Sequence, residues 1–335
     1  MNNLFEYKDC FSEFKDVKSH LVLGDLDNKS PKVSILMPVY SHYEYFEKAL
    51  TSAIQQDYQD DYEIVIVDNN PLDDTITEYQ KIIERANTSK ILYYRNEQNI
   101  GLFGNWNRCV ELARSEFVTF LHDDDVLQSN CLTVLMEAST RYGRKLIFPE
   151  QNIINETGEV VEESVNLSSR YGIFKLRKEY SIDLLDKFIR NRGCGVGCLY
   201  SKSGIIELGG YNKVYDPSSD YALNIRYVDR FGAIAVSECL INYRRAVNYS
   251  FDCFNRWPDM DKSLRESILK RKKIYNILTK MIVKSFFSMQ CIIVYEQFGR
   301  NSNGYNVNKS PNVIDKFIYN LICRISRLKC FTLNV

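Results

Sequence analysis

The stretch YEIVIVDNN, residues 62–70, is an apolar and largely β-branched run that ends in polar residues. Its length and composition predict a buried strand. Runs of similar form lie at 33–40, 90–96 and 116–125, and each of them also ends in polar residues. Helical spacing between these runs makes strands and helices alternate from Val33 to about Ile147.

The predicted helices are 46–56, 73–87, 104–115 and 129–143, the last with Ser129 as a candidate N-cap, and another strand begins at 145–150. This alternation predicts an α/β fold with a Rossmann-like, mostly parallel sheet and helices on both faces. Such sheets bind ligands at the carboxyl ends of their strands. We therefore expect four polar strand ends to gather along one edge: Tyr40 and Ser41; Asp68, Asn69 and Asn70; Arg95 and Asn96; and residues 122–125.

Three consecutive aspartates close the run at 116–125, in the sequence HDDD. Like charges at this spacing repel one another, and burying each of them is costly unless something neutralises it. The triplet therefore indicates either full exposure to solvent or a bound cation.

Charge is unevenly distributed along the chain, although the net charge is zero. Residues 261–335 contain 14 Lys and Arg against 4 Asp and Glu, whereas residues 1–260 contain 29 against 39. We divide the chain into an N-terminal extension at 1–30, an α/β domain at 31–260 with halves at 31–150 and 151–260, and a basic helical extension at 261–335. The basic extension indicates an anionic partner.

The ten cysteines have scattered spacings, which fit neither a redox CxxC motif nor a zinc site and indicate free thiols in a reducing cytosol. The N-terminal residues are too polar and acidic for a secretory signal. No uncharged apolar stretch reaches about 18 residues, so no membrane-spanning helix is expected. These features predict a cytoplasmic protein.

Three ordered motifs resemble those of the family 2 glycosyltransferases, which have the GT-A fold and are typically inverting. VSILMPVY at 33–40 is similar to the family pattern VS(I/V)xxPxYN, and IVIVDNNP at 64–71 is similar to (I/V)xVDDxS. NIGLFGNWNRCVELARSEFVTFLHDDD at 99–125 is similar to NxGxxxxxNxGxxxAxGxYxxxLDxDD. The match covers roughly 30–130 and continues more weakly to about 250. Variants with LHDDD resemble enzymes of bacterial surface-polysaccharide assembly, of the O-antigen and capsule type.

The resemblance implies a transferase that moves one hexose or N-acetylhexosamine from a UDP-sugar to a sugar hydroxyl of a lipid-linked glycan. The acceptor lipid would be an undecaprenyl diphosphate. A non-catalytic nucleotide-sugar-binding or scaffold subunit is the alternative, because Asn69 and His122 depart from the family's acids. A nucleotidyltransferase would need a Gly-rich, basic loop after the first strand, and PVYSHYEYF has no glycine, lysine or arginine.

The resemblance also implies a divalent cation, Mn²⁺ or Mg²⁺, which would bridge the donor diphosphate to carboxylate oxygens. Asp124 matches the metal-binding acid, Asp125 is a second candidate metal ligand, and Asp123 flanks them on the donor side. His122 stands where many relatives have the first aspartate.

The remaining donor-site residues follow from the same motifs. Tyr40 would stack on the uracil with Pro38 beside it, and Asp68 and Asn69 would read the base edge. Diphosphate and ribose contacts are expected from four residues, for which helix capping and turn formation are equally good accounts: Arg95, Asn99, Asn105 and Asn107.

A base must also deprotonate the acceptor hydroxyl. By resemblance this base is Asp220 in YDPSSDYALNIRYV, with Asp216 as a weaker rival and helix capping as the alternative role. Arg244 or Arg245 replaces a family histidine and could neutralise phosphate or simply lie at the surface.

The basic extension interleaves cations with large apolar residues at helical spacing, which suits an interfacial helix on an anionic membrane. A packed helical subdomain is the main alternative. No nucleic-acid-binding module is evident. We therefore expect a peripheral protein on the inner face of the plasma membrane.

Overall fold

A computed structural model describes residues 3–26, 30–73, 75–163, 174–189, 195–245, 253, 255–296 and 311–333. The strands are β1 Ser19–Leu23, β2 Val33–Val39, β3 Tyr62–Asp68, β4 Ile91–Asn96, β5 Phe117–Phe120, β6 Val126–Leu127, β7 Leu146–Ile154, β8 Val160–Glu162, β9 Phe174–Leu176, β10 Glu179–Ile182, β11 Leu199–Ser201, β12 Ala233–Arg244 and β13 Phe331–Leu333. The helices are α1 Phe46–Ile54, α2 Glu78–Ala86, α3 Gly101–Leu112, α4 Cys131–Tyr142, α5 Leu184–Ile189, α6 Lys202–Glu207, α7 Ser219–Phe231, α8 Trp257–Arg271, α9 Ile277–Val294 and α10 Val313–Arg327.

One large mixed sheet organises the molecule, with its main strands in the order β1-β4-β3-β2-β5-β11-β7-β12-β10. Strands β4, β3, β2 and β5 are mutually parallel, as the alternation of strand and helix predicts. Beyond β5 the short strand β11 runs antiparallel to both of its neighbours, whereas β7 and β12 are parallel. The α/β, Rossmann-like fold is confirmed, with four successive parallel strands in the first half of the domain and a mixed arrangement in the second.

Both faces of the parallel strands are buried because helices cover each side. Ile35, Ile64 and Ile66 pack into one core cluster. The alternate residues Leu36 and Val65 pack into another on the opposite face. Strands buried on both faces need nearly continuous apolar runs, which accounts for the runs in the sequence.

The N-terminal segment joins the same sheet. β1 pairs with β4 in antiparallel register, and Ser19 lies opposite Asn96. The buried guanidinium of Arg108 donates to the carbonyls of Val17 and Phe14 at 2.8 and 2.9 Å. The part of 1–30 that is described therefore adds an edge strand to the sheet.

Two predicted helices begin later in the structure than in the sequence pattern. α2 begins at Glu78 rather than 73, because Thr77 caps it and Asp73 folds back to accept hydrogen bonds from Thr75. Ser129 is not the N-cap of α4: the helix begins at Cys131, and Asn130 precedes it without a side-chain cap. The segment after Phe120 leaves the sheet before the aspartates.

The basic C-terminal region is helical and packs against residues 151–260, which the resemblance implies to be the acceptor half of the sheet domain. Arg265 of α8 donates to the carbonyl of Phe188 at 2.9 Å, and Ser285 of α9 donates to Asp315 of α10 at 2.8 Å. Within the described ranges, α9 is the one helix long and apolar enough to cross a membrane, although Lys280 and Lys284 interrupt its apolar sequence. Of the residues of this helix, 39% are buried in the fold, and Val283 and Phe286 lie in the core.

Candidate functional site

The carboxyl ends of β3, β2 and β4 lie side by side, as topology predicts. Val39 pairs with Asp68, and Asp68 pairs with Arg95. The hydroxyl of Tyr79 links this edge to residues 122–125, which we call the acidic loop, by donating to Asp123 at 3.1 Å. We call this edge, residues 38–41, 68–70, 95–96 and 122–125, the strand-end rim.

Asp68 faces into the protein at the rim. It is fully buried and accepts hydrogen bonds from the Asn70 backbone N–H at 2.9 Å and from the Tyr93 hydroxyl at 2.7 Å. Burial and the nearby Asp68 raise the pKa of the Tyr93 phenol far above its usual value, so Tyr93 remains a donor. These contacts brace the end of β3.

Asn69 is likewise buried, at 3% exposure, and its reading of a base edge stays a prediction. Its amide donates to Asn99 at 2.9 Å and accepts from Asn96 and from the Ile100 backbone N–H, each at 3.0 Å. Asn99 also accepts from the Gly101 backbone at the start of α3, at 2.8 Å. Both amides therefore fix the loop that leads into α3.

Arg95 shapes the loop after β3 instead of reaching into the rim. It is 2% exposed, and its guanidinium donates to the carbonyls of Pro71 and Thr75, each at 2.8 Å, and to Asp73 at 3.0 Å. Because the guanidinium already donates to these protein acceptors, few of its N–H groups remain to bind a diphosphate.

Asn105 and Asn107 are also engaged away from the rim, an arrangement in line with the structural role that the sequence left equally open. Asn105 donates to the Val67 carbonyl at 2.9 Å and accepts from Asn96 at 3.0 Å. Asn107 donates to the Tyr211 carbonyl at 2.9 Å and accepts from its N–H at 2.8 Å. Asn107 thus attaches α3 to the acceptor half.

Tyr40 is the predicted donor-site ring that stays open to a ligand, with 47% of its surface exposed. Pro38 lies buried in β2 two residues earlier. The backbone N–H of Tyr40 also hydrogen-bonds Asp123, so the ring stands next to the acidic loop. This arrangement suits stacking on a flat base.

The three aspartates have different surroundings. Asp123 is held by Tyr79 and by the Tyr40 backbone, and Asp125 is fully buried and accepts from the Arg244 backbone N–H at 2.7 Å. Burial, reinforced by Asp124, raises the pKa of Asp123 and of Asp125 well above the usual range. The protein alone therefore leaves this negative charge under-compensated.

The cluster fits a divalent cation on chemical grounds. One ligand atom each from His122, Asp124 and Asp125 lie within 4.8 Å of one another. Oδ2 of Asp125 is buried and has no hydrogen-bond partner among the described residues, an arrangement that a bound cation would satisfy. Burial lowers the pKa of His122 to about 4, which leaves a neutral ring with a lone pair at pH 7.

Arg244 supports the acidic loop from behind. It is 1% exposed, and its Nε donates to the Asp124 carbonyl at 2.8 Å while its Nη1 donates to the Asn155 carbonyl at 2.8 Å. Arg245 instead pairs with Glu162 at 3.5 Å. Neither contact is the direct phosphate contact that the sequence suggested.

Asp220 lies in the first turn of α7 on the acceptor side, partly exposed. Burial raises the pKa of its carboxyl to about 6, and Asp261 adds to the rise while the Tyr221 N–H and Lys187 oppose it. A carboxyl with this pKa can accept a proton near neutral pH. The rival Asp216 forms an ion pair with Arg256 at 2.6 Å.

A buried aromatic contact connects the acidic loop with the region around Asp220. The Trp106 ring stacks on His122 at 5.2 Å and meets Tyr211 edge-on at 4.9 Å. Asp220 in turn raises the pKa of Tyr211, after burial, which places the two groups near each other. Sequence reasoning missed Trp106 and Lys187, since their only signal was a large or charged residue in an apolar helical pattern.

A glycine-rich stretch, RGCGVGCLY at 192–200, lies partly within the described residues. Gly193 lies outside the described residues, and Gly197 has a φ of +62°. A Cβ atom at Gly197 would lie 2.3 Å from Cδ1 of Ile241, so the close approach of backbone to β12 requires glycine.

Comparison with known proteins adds three findings. The family model described as Glycosyl transferase family 2 matches residues 34–209. The chain is 34% identical over 147 residues to the GalNAc(5)-diNAcBac-PP-undecaprenol beta-1,3-glucosyltransferase of Campylobacter jejuni, covering 42% of this chain and 47% of that protein. It is 26% identical over 167 residues to the UDP-Glc:alpha-D-GlcNAc-diphosphoundecaprenol beta-1,3-glucosyltransferase WfgD of Escherichia coli, covering 50% of this chain and 58% of that protein.

The chain thus spans about half the length of the first of these relatives. Among solved structures, S. aureus TarS 1-349 in complex with UDP-GlcNAc superposes with a TM-score of 0.55, covering 89% of this chain and 81% of that one. The identity is 14%, so the likeness is one of fold.

Proposed function

The chain belongs to glycosyl transferase family 2, and on that premise we propose that it transfers one hexose or N-acetylhexosamine from a UDP-sugar. The acceptor is a sugar hydroxyl of an undecaprenyl-diphosphate-linked glycan in bacterial polysaccharide synthesis. The names of the two curated relatives, which include undecaprenol-linked diphosphate acceptors, support this acceptor class.

The observation that carries the proposal is the under-compensated acidic loop at the strand-end rim, next to the open ring of Tyr40. A nucleoside diphosphate with its cation would supply a flat base for the ring and positive charge for the buried carboxylates. Asp124 and Asp125 would hold Mn²⁺ or Mg²⁺, which stabilises the negative charge of the leaving diphosphate.

Asp220 acts as the general base in this mechanism. Its carboxylate accepts the proton of the acceptor hydroxyl while the oxygen attacks the anomeric carbon from the face opposite to the diphosphate. The bond to the diphosphate breaks in the same displacement, UDP leaves, and the configuration at the anomeric carbon inverts. The raised pKa of Asp220, about 6, suits a base that works near neutral pH and releases its proton afterwards.

We place the protein on the cytoplasmic face of the plasma membrane, where a lipid-linked acceptor is presented. Support comes from an apolar stripe on α10 and the residue that follows it, defined by residues between 45% and 66% exposed: Ile314, Phe317, Leu321, Ile325 and Leu328. At about 100° per residue, these positions fall within about 80° of the helix circumference.

Exposed cations border the stripe along one side: Lys316, Arg324 and Arg327. An apolar strip next to cations is the form of a helix that lies in the interface of an anionic bilayer. Peripheral attachment would bring the region around Asp220 close to the diphosphate head group of the acceptor lipid.

The test is a panel of UDP-sugars incubated with a polyprenyl-diphosphate-linked N-acetylhexosamine and Mn²⁺ or Mg²⁺, with UDP release and product mass as readouts. We expect one donor to give a singly extended product of inverted linkage, and chelation to abolish it. Asp124→Ala should lose turnover, whereas Asp60→Ala, an exposed acid in the loop before β3, should not.

Donor binding without UDP release from any acceptor would favour the non-catalytic subunit instead. A fully active Asp124→Ala variant would reject the assignment of the cation site.

A further inference from the structure

The imidazole of His122 packs against Trp106, but its Nε2 atom makes no hydrogen bond within the described part of the chain. Its plane lies 29° from that of Trp106, with ring centroids 5.2 Å apart. Nε2 is buried and has no hydrogen-bond partner among the described residues. No hydrogen bond at Nε2 therefore accounts for the placement of the imidazole, which leaves the role of the side chain to Nδ1.

The other ring nitrogen points to that role. Nδ1 lies 3.7 Å from Oδ2 of Asp125, which is too long for a hydrogen bond. Oδ2 itself is buried and unpaired within the described part of the chain. Nitrogen and oxygen ligands lie about 2.0 to 2.2 Å from such an ion, so two ligand atoms 3.7 Å apart can bind the same cation, which would satisfy both atoms.

We propose that His122 is a direct nitrogen ligand of the donor-site cation and makes the site selective for a transition ion such as Mn²⁺ over Mg²⁺. This inference rests on the proposed function, because it concerns the cation that the UDP-sugar requires. Trp106 acts as a positioning residue that fixes the plane of the imidazole.

Ligand chemistry gives the direction of the selectivity. Mg²⁺ takes oxygen ligands in a near-ideal octahedron and keeps several waters, so an imidazole in its first coordination sphere is unfavourable. First-row transition ions accept imidazole together with carboxylates. An aspartate at position 122, as in the family pattern, would return the site to oxygen ligands and reduce the preference.

The chain offers a clean spectroscopic test, because it has only three histidines. His20 lies at the far edge of the sheet, 2.9 Å from Glu97, and His42 is exposed beside the rim. Pulsed electron paramagnetic resonance of the Mn²⁺-loaded protein, without donor or acceptor, detects nitrogen coordinated to manganese. We expect this nitrogen signal in the wild type and in His42→Asn, and its loss in His122→Asp and His122→Asn.

Calorimetric titrations with Mn²⁺ or Mg²⁺ in the presence of UDP give a second readout. His122→Asp should lower the ratio of Mn²⁺ to Mg²⁺ affinity by about ten-fold or more, mainly by weakening Mn²⁺ binding. His122→Asn, which adds no charge to the acidic loop, serves if the aspartate variant melts at a lower temperature.

Manganese binding without a nitrogen signal in the wild type, or an unchanged affinity ratio in both variants, would overturn the inference and assign His122 to packing on Trp106. A nitrogen signal in a protein that releases no UDP would sustain the ligand and reject the transferase. An active enzyme that uses Mn²⁺ and Mg²⁺ equally well would sustain the transferase and reject His122 as a cation ligand.

Discussion

In the proposed site the strand-end rim forms the donor side and the turn that carries Asp220 forms the acceptor side, and the two are held in place by different parts of the chain. On the donor side the polar strand ends are bound by neighbours in the same sheet, as with Asn69 and Asn96 or Asp68 and Tyr93. On the acceptor side the turn before Asp220 is tied to the C-terminal helices: Ser218 donates to Asp261 of α8 at 2.7 Å, and Gln290 of α9 also contacts Asp261.

If Asp220 is the base as proposed, this difference implies that the C-terminal region supports the base in addition to its proposed role in membrane attachment. Losing a contact in α8 or α9 should affect the base while donor binding stays intact. Losing a contact behind the acidic loop should affect the cation while the base stays intact. Variants of each kind therefore separate the two sides.

Removing the base should have the largest effect. Asp220→Asn should lower kcat by about 10³-fold or more, because no carboxylate then accepts the acceptor proton. The affinity for UDP, measured by calorimetry, should stay at the wild-type value. Asp216→Asn is the matched control, since Asp216 is paired with Arg256, and it should keep most of the activity. Equal losses in the two variants would contradict the assignment.

The pH dependence of the wild type follows from the same group. The carboxylate is the active form, so kcat should be low in acid and rise with pH through about 6 before it levels off. The same acidic limb should persist with Mn²⁺ held at saturation. An acidic limb at the ordinary aspartate pKa would show that a different group limits the reaction.

Arg244 provides a comparable test of the donor side. Arg244→Met should destabilise the fold by about 3 kcal/mol, because a buried guanidinium and its bonds to main-chain carbonyls are lost. The acidic loop should also bind Mn²⁺ more weakly. Urea denaturation and manganese titration measure the two effects. Arg245→Met removes an arginine that is paired with the exposed Glu162, so it should leave the free energy of unfolding and the affinity for Mn²⁺ close to their wild-type values.

The apolar stripe on α10 tests membrane attachment separately from both sides. Phe317→Glu should weaken binding to vesicles of anionic phospholipid by about thirty-fold, since roughly 2 kcal/mol of apolar transfer is lost. Asn320→Glu adds the same charge at an exposed polar position and should have a smaller effect. Activity on a water-soluble acceptor should match the wild type in both variants. Undiminished vesicle binding by Phe317→Glu would favour a purely packed C-terminal region.

Sequence alone was sufficient for the parallel half of the fold. Consecutive strands joined by helices pair with near neighbours, so the periodic pattern determines the edge where Tyr40, Asp68 and Asp123 meet. It could not tell which polar residues face a ligand. Asn107 is bonded to Tyr211, and Arg244 supports the acidic loop, through contacts that span about a hundred residues. Spacing within a motif contains no information about such partners.

The same reason explains why the acceptor side was anticipated less fully. Asp220 could be found from a resemblance, but the groups around it come from elsewhere in the chain. Lys187 belongs to a six-residue helix, and Asp261 belongs to a segment that the sequence reading assigned to a separate extension. The short strand β11 enters the sheet between β5 and β7 by long-range pairing.

Asp261 provides the finest test of the difference between the two sides. Asp261→Asn should lower kcat by about five-fold, since a buried hydrogen bond to Ser218 or Gln290 is weakened and the turn before Asp220 loosens. Because Asp261 contributes to the raised pKa of Asp220, the acidic limb of the pH profile should also move to lower pH, which a general loss of stability would not produce. Asp259→Asn, at an exposed position in the first turn of the same helix, should move neither quantity. If instead the manganese affinity falls while the pH limb stays in place, α8 supports the donor side, and the division between the two sides is wrong.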